Sequence, residues 1–324
     1  MWFKAPLCRV MRVITRHEVR RVLERTQGNL LNVVSDAYQK HDTRVAINPP
    51  SYFMTFPDKP GSRIIALPAC STDSPRIAGI KWIASNPENI NKGLERASAA
   101  ILLNDYETGY PVACIEGAEI SAYRTVYSAV LAAKTLLQGA KVDCLGLIGC
   151  GHISRHFVAA LQREAIDVKS WAVHDRKREA CNWVGGARFF DNPDELVKNC
   201  DVIFCSTTTA VPYLLKPEVF SRNPLVLNIS LRDLAPEILL ASNNIVDDVD
   251  HVLNANTSPH LAYQKSGCKN FINGTLAEAM DSKVKLLGGK PTIFSPMGLG
   301  VLDLFLAHHV YKNSAGIKIH NFFG

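Results

Sequence analysis

Hydrophobic and polar positions alternate on two different plans along this chain. In the first 120 residues or so, short strand-like runs are separated by turn-rich sequence. Residues 11–14 read as a strand leading into a helix, with Thr15 and Glu18 spaced as a capping box. Apolar residues at helical spacing predict helices over 18–25 and 29–41. After the breakers Asn48-Pro49-Pro50 and Pro57-Asp58-Lys59-Pro60-Gly61, strands are predicted at 63–67, 77–85, 99–104 and 111–116, the last two joined by a hairpin-like turn. A helix is then expected over 121–138, with Ser121 as N-cap, Arg124 in its first turn and Gly139 as its stop. Beyond it the pattern becomes strand, helix, strand: strands at 142–148, 170–174, 202–206, 225–230, 244–247 and 292–294, a helix at 153–162, and a final helix over 300–311. Apolar strands separated by about 20–30 residues of helix and loop indicate a parallel, doubly wound sheet.

The strand at 142–148 runs into Gly149-Cys150-Gly151-His152-Ile153-Ser154 and then a helix. This is G-x-G-x-x-S, one residue short of the full dinucleotide fingerprint. Gly149 permits the tight turn, Gly151 lets the backbone approach a pyrophosphate, and Ser154 is small enough for close helix–strand packing. The free N–H groups opening the helix, at His152 and Ile153, would face the phosphates; His152 reads equally as a solvent-facing spacer. Asp175 ends the next strand, where it can accept from ribose hydroxyls and repel a 2′-phosphate, which favours NAD; the adjacent Arg176 pulls the other way. Other strand ends of such a sheet line the same crevice: Ser206, Thr207, Ser230, Met297 and Gly298. The expected fold is therefore α/β, a Rossmann-type doubly wound parallel sheet over 126–299 plus a mixed α+β domain over 1–125, with the segment 300–324 returning to that first domain.

Length and composition fit this reading. The 324 residues suggest about two domains, and 47% apolar residues can build their cores. Thirty-six Lys and Arg against 30 Asp and Glu leave a net charge of +6. These charges are scattered rather than clustered, which speaks against nucleic acid as a partner and suits anionic small molecules. No apolar run reaches the ~18 residues of a membrane span, and MWFKAPLCRV does not read as a signal peptide, with Met11 a possible alternative start. Nine cysteines without a CxxC read as reduced thiols of a cytoplasmic protein, and no Cys/His spacing suggests a metal.

Four cations and a carboxylate carry candidate substrate chemistry. Lys81 lies in IAGIKWIAS, a strand apolar at nearly every position, as either a snorkelling edge residue or a buried functional cation. Arg124 near a helix start opposes the helix dipole, which makes sense if an anion bridges the two. Arg63 and Arg96 add further cations beside apolar segments. Asp233 follows the strand LVLNIS into the expected crevice, placed to move a proton on a substrate amine. Asp303 and His308 in the last helix carry no specific signal.

Read together, RIIALPA, GIKWIAS, RASAAILLND, ISAYRTVYSA, GLIGCGHIS, LNISLRD and SPMGLGVLD resemble the ornithine cyclodeaminase/μ-crystallin family over nearly the whole chain from Met11. Within it, the pattern is similar to the branch that oxidatively cleaves N-(2-amino-2-carboxyethyl)-L-glutamate on the way to L-2,3-diaminopropionate, a siderophore and antibiotic precursor. The resemblance implies a homodimer paired through its first domain, which also binds substrate. It gives Lys81 and Arg124 the substrate carboxylate, and Asp233 the acid/base role. Cyclodeaminases follow this Asp with Gly-Lys-x-Glu; here Leu234-Ala235-Pro236-Glu237 follows, which counts against ornithine cyclisation. An upstream cation of the family is replaced by Ser51, so Arg63 or Arg96 is expected to complete the clamp on a polycarboxylate substrate. The alternatives are a cyclodeaminase or small-imine reductase, and a non-catalytic NAD(P)H-binding protein.

Overall fold

The computed structural model describes residues 10–59 and 61–323. The opening nine residues, and with them Cys8 and most of the segment read against a signal peptide, lie outside the described residues. The chain forms two compact units, 1–124 with 299–324, and 125–298.

The first unit is built on a mixed sheet. Its strands run in the order Ile317–Ile319, Met11–Ile14, Pro111–Glu116, Ala97–Asp105, Ile77–Ser85, Arg63–Ser71 and Ala46–Ile47, with Tyr52–Thr55 also pairing Arg63–Ser71. The long central strands pair antiparallel, Leu67 opposite Lys81 and Lys81 opposite Ile101. Side chains alternate between faces along a strand, so Leu67, Lys81 and Ile101 share one face, buried together with Ala69, Ile77 and Leu103. The helices Arg16–Arg25, Gln27–Asp42 and Gly300–Asn313 bring Val22, Leu23, Leu30, Val34, Leu302 and Leu304 to this core. At Gly79 the final helix comes in close: a Cβ there would lie 2.9 Å from Leu304 Cδ1.

The second unit is an eight-stranded parallel sheet in the order Arg188–Phe189, Val168–His174, Val142–Ile148, Val202–Cys205, Leu225–Asn228, Thr292–Ser295, Asn243–Val246 and Ile272–Thr275. VIFC, LVLN and NNIV are buried at every position, as strands covered on both faces must be. The chain starts mid-sheet at Val142–Ile148, steps outward through Val168–His174, then crosses back to Val202–Cys205. That reversal makes the end of the first strand a topological switch point, where open α/β sheets form ligand crevices.

Some local expectations are corrected. The helix predicted from Ser121 spans Ala118–Leu137. Its first N–H groups, on Ala118 and Glu119, donate to the Glu116 carboxylate at 3.0 and 3.2 Å, so Ser121 is not the cap and Arg124 lies in the second turn. The capping box at Thr15 does not form, because Glu18 Oε1 accepts instead from the Ala315 and Gly316 N–H groups. The strands Tyr52–Thr55, Arg188–Phe189, Ile272–Thr275 and Ile317–Ile319 went unpredicted; they are short and peripheral, with little burial to impose a pattern. No helix among the described residues is long and apolar enough to cross a membrane.

Candidate functional site

In the second unit the glycine turn takes the shape its residues require. Gly149 has φ +90°, and a Cβ there would lie 2.9 Å from the Ser206 carbonyl oxygen, so the position demands glycine. A Cβ on Gly151 would meet only open space. Gly151 caps the helix His152–Arg163 with no side-chain bond to its N–H groups, leaving them for an anion. Ser154 does more than fit: its hydroxyl donates to the Gly149 carbonyl and meets Ser206 Oγ at 2.7 Å, tying the turn to the neighbouring strand end. Asp175 Oδ2 accepts from Cys150 N at 2.9 Å and Oδ1 from Lys177 N at 3.0 Å, which fixes the carboxylate at the end of its strand with lone pairs to spare.

These groups open onto a cavity of about 530 Å³ lined in part by Gly149, Gly151, Asp175, Arg176, Ser206 and Thr207. The other expected cofactor residues do not line it. His152 is exposed and sits edge-on to His156, and Ile153 follows it in the helix. Met297 packs against Val246, Val252 and Leu253. Gly298 spends its N–H on the buried Asp247 carboxylate at 2.6 Å. Ser230 is buried beyond the strand Leu225–Asn228.

Asp233 lies behind the wall of this cavity, 0% exposed. Thr207 Oγ1 donates to its Oδ1 at 2.8 Å and the Tyr213 hydroxyl to its Oδ2 at 2.9 Å, and both donors line the cavity. Burial raises the Asp233 pKa above the ordinary carboxylate range, while these hydroxyl bonds hold it down. Burial also drives the Tyr213 hydroxyl far upward, so it stays a donor. A buried carboxyl with a raised pKa and neutral donors is the arrangement expected of a general acid/base. Tyr213 was not anticipated, since one tyrosine in TTTAVPY gives no signal.

In the first unit Lys81 is 2% exposed on the helix-covered face of a central strand. Its Nζ donates to Asp303 Oδ2 at 2.5 Å and to Ser121 Oγ at 3.2 Å. Arg124 Nε donates to Asp303 Oδ1 at 3.2 Å. Burial, with Arg124 beside it, lowers the Lys81 pKa to about 8 even though Asp303 pulls it up. Asp303 thus organises both predicted cations, a role the sequence reading did not give it. Its signal was available: a single carboxylate in a helix whose residues 300–307 are all buried. Arg63 shares the face of Lys81 but lies level with Ser85, four residues along, or about 13 Å. Arg96 is half-buried; burial lowers its pKa with no carboxylate to offset it.

A family model, ornithine cyclodeaminase/mu-crystallin, matches residues 9–318. The chain belongs to this family. It is 29% identical to N-((2S)-2-amino-2-carboxyethyl)-L-glutamate dehydrogenase of Staphylococcus aureus over 272 residues, 78% of this chain and 79% of that one. It is 27% identical to alanine dehydrogenase of Archaeoglobus fulgidus over 321 residues, 93% and 94% of the two chains. Among solved structures, an archaeal alanine dehydrogenase dimer with bound NAD aligns with a TM-score of 0.84 at 25% identity, covering 97% of this chain and all of that one. CmnK aligns with a TM-score of 0.86 at 23% identity over 98% and 99% of the chains and shares the fold.

Proposed function

We propose that this protein is an NAD-dependent dehydrogenase acting on the CH–NH bond of an amino-acid-derived polycarboxylate. The observation that carries the reading is Asp233: a buried carboxyl of raised pKa, held by two hydroxyls that line the cavity at the glycine turn. The cavity suits a dinucleotide, with an open cradle at Gly151, uncapped N–H groups for phosphate, and Asp175 for the ribose. When bound, NAD supplies the two-electron acceptor for hydride. Asp233 accepts the proton of the substrate amine, and the Thr207 and Tyr213 hydroxyls stabilise its charged form. Lys81 and Arg124, oriented by Asp303, hold a substrate carboxylate.

The substrate we favour is N-(2-amino-2-carboxyethyl)-L-glutamate. Oxidation at the glutamyl Cα gives an imine, which water splits to 2-oxoglutarate and L-2,3-diaminopropionate; NAD is reduced once per turnover. The S. aureus relative supports this, as does the supply of cations for three carboxylates. Arg96, half-buried and without a described side-chain partner, suits a distal carboxylate, as does Arg63 about 13 Å from the Lys81 row. Glu237 is engaged with Lys265 on the surface, in line with the missing cyclodeaminase pattern. A second reading, a dehydrogenase or imine reductase for a small monocarboxylate such as alanine, is favoured by the longer match to the A. fulgidus enzyme. The protein is further proposed to work as a homodimer in the cytoplasm, where its free thiols stay reduced.

Pure protein, NAD and this substrate should yield NADH and 2-oxoglutarate in equal amounts. Turnover of alanine instead would transfer the assignment to the second reading. Asp233→Asn should lower kcat by about 10²–10⁴-fold, the usual worth of a general acid/base, with NAD affinity retained. Unchanged kcat would remove Asp233 from the chemistry.

A further inference from the structure

The second unit carries two close thiol pairs, one at the glycine turn and one at the far end of the same strand. Cys150 and Cys181 approach to 3.0 Å, Cys144 and Cys200 to 3.4 Å. The first pair is buried, and burial pushes both of its thiols upward, which leaves them neutral and unreactive.

The second pair differs in exposure and in surroundings. Cys144 is half-buried near the start of the strand Val142–Ile148, and Cys200 is the buried, extended residue that ends the helix Pro193–Asn199. Leu145 pairs with Val202, so one step back Cys144 stands level with Asp201 and one residue from Cys200. The main chain is clamped at this point: Asp201 N donates to the Cys144 carbonyl at 2.9 Å, and Cys144 N to Asp201 Oδ2 at 2.9 Å. Strands about 4.8 Å apart with an offset of about 3.3 Å put the two Cα atoms roughly 5.8 Å from one another, inside the range of about 4.4–6.8 Å that a disulfide spans. Gly146 leaves room for the second sulfur, since a Cβ there would lie 2.9 Å from Cys200 Sγ.

We infer that Cys144 and Cys200 form a hydroperoxide-reactive dithiol, a modification site that closes to a disulfide. The Cys144 thiolate attacks the peroxide oxygen; the O–O bond breaks, and hydroxide or alkoxide leaves to take up a proton. Cys144 is left as a sulfenic acid. The Cys200 sulfur then attacks the Cys144 sulfur, the S–S bond forms, the S–O bond breaks, and water departs with the Cys200 proton. The two thiols lose two electrons in all, and the peroxide is reduced to two molecules of water, or to water and an alcohol. The local electrostatics favour Cys144 as the attacking group: the hydrogen bond from the Cys200 thiol pulls its pKa below the ordinary thiol range against the effect of burial, aided by Ser170. Cys144 lies five residues before Gly149, or about 16 Å along the strand, so closure leaves the glycine turn untouched.

The test is peroxide treatment of the purified protein, followed by non-reducing peptide mapping. The expected product is a Cys144–Cys200 cross-link, two hydrogen atoms lighter and reversed by dithiothreitol. Cys200→Ser should stop at a Cys144 sulfenic acid that dimedone captures. In the untreated protein, iodoacetamide should modify Cys144 on the order of fivefold faster than glutathione at pH 6.5, a larger thiolate fraction outweighing lower intrinsic nucleophilicity. Oxidation of exposed Cys268 without the cross-link, or a Cys150–Cys181 cross-link forming first, overturns the inference. So does alkylation of Cys144 with an inflection at the ordinary thiol pKa of about 8.5, a measurement that needs no variant to fold.

Discussion

Lys81 shows what a single residue can tell in advance and what needs a fold. A lysine inside IAGIKWIAS breaks an otherwise apolar strand, and that alone marks it. Its neighbours cannot be read the same way, because Asp303 lies 222 residues further on. Arg124 was found for a reason that does not hold. The helix end it was thought to share with an anion is closed by Glu116, and its charge faces Asp303 instead. The arrangement makes a prediction about pH. Burial sets the Lys81 pKa near 8, below its unfolded value. Below about pH 8 the ammonium is present to hold a carboxylate; above it, the group is neutral and KM should rise. The effect on stability has the opposite sign. Between about pH 8 and 10.4 the unfolded chain binds the extra proton, so this group makes the fold more stable as pH rises through that window. Asp303 raises the Lys81 pKa, so Asp303→Asn should move the alkaline rise in KM to lower pH and raise KM at neutrality. It should also destabilise the fold by no more than about 3–5 kcal/mol, the cost of an unpaired buried charge, and Lys81 can limit that loss by shedding its proton. The pH profiles of kcat/KM for the two proteins decide it; superimposed profiles would make Asp303 a packing residue only.

Elements proved legible in proportion to their burial. The strands Val202–Cys205 and Leu225–Asn228 are buried at every position, and Val142–Ile148 from Leu145 onward, because their faces are covered, and a pattern imposed by burial can be read back from the sequence. The glycine turn was legible for a related reason, since steric demands at Gly149 leave a fixed residue choice. Edge strands such as Arg188–Phe189 and Ile317–Ile319 carry almost no such constraint. Helix starts failed where the cap came from a residue outside the usual set, as with Glu116. The sequence carries no mark of how closely the final helix approaches its sheet at Gly79, because that approach rests on an absent side chain. At Gly79 an added Cβ would stand 2.4 Å from the Leu102 carbonyl oxygen and 2.9 Å from Leu304 Cδ1. Gly79→Ala should therefore cost about 1–3 kcal/mol, the usual cost of overpacking a core, and should shift the helix that carries Asp303. Thermal unfolding should record the first effect and a raised substrate KM the second. A loss of stability with KM unchanged would show that the Lys81–Asp303 contact does not depend on this close approach.

The strand that made Lys81 conspicuous poses one more question, and it concerns the assembly. Residues 77–85 are apolar on both faces, which is the signature of a strand buried on both sides. The helices of its own unit cover only the face of Leu67, Lys81 and Ile101. On the other face the register sets Tyr52, Ala66, Trp82 and Ala100 in one row and Pro68, Ile80 and Leu102 in the next. Tyr52 is 73%, Trp82 46% and Leu102 37% exposed. Apolar rows of this kind mark an interaction surface. Under the homodimer proposed above, a second copy of the chain occupies this face. In a two-fold interface residue i meets j and j meets i, so one substitution buries a charge in the apolar face twice. Trp82→Glu should therefore convert a dimer to a monomer in sedimentation or light scattering, with far-UV circular dichroism preserved because the side chain points away from the core. A wild-type monomer at tens of micromolar, or a dimer that survives this substitution, would mean that some other partner covers the face.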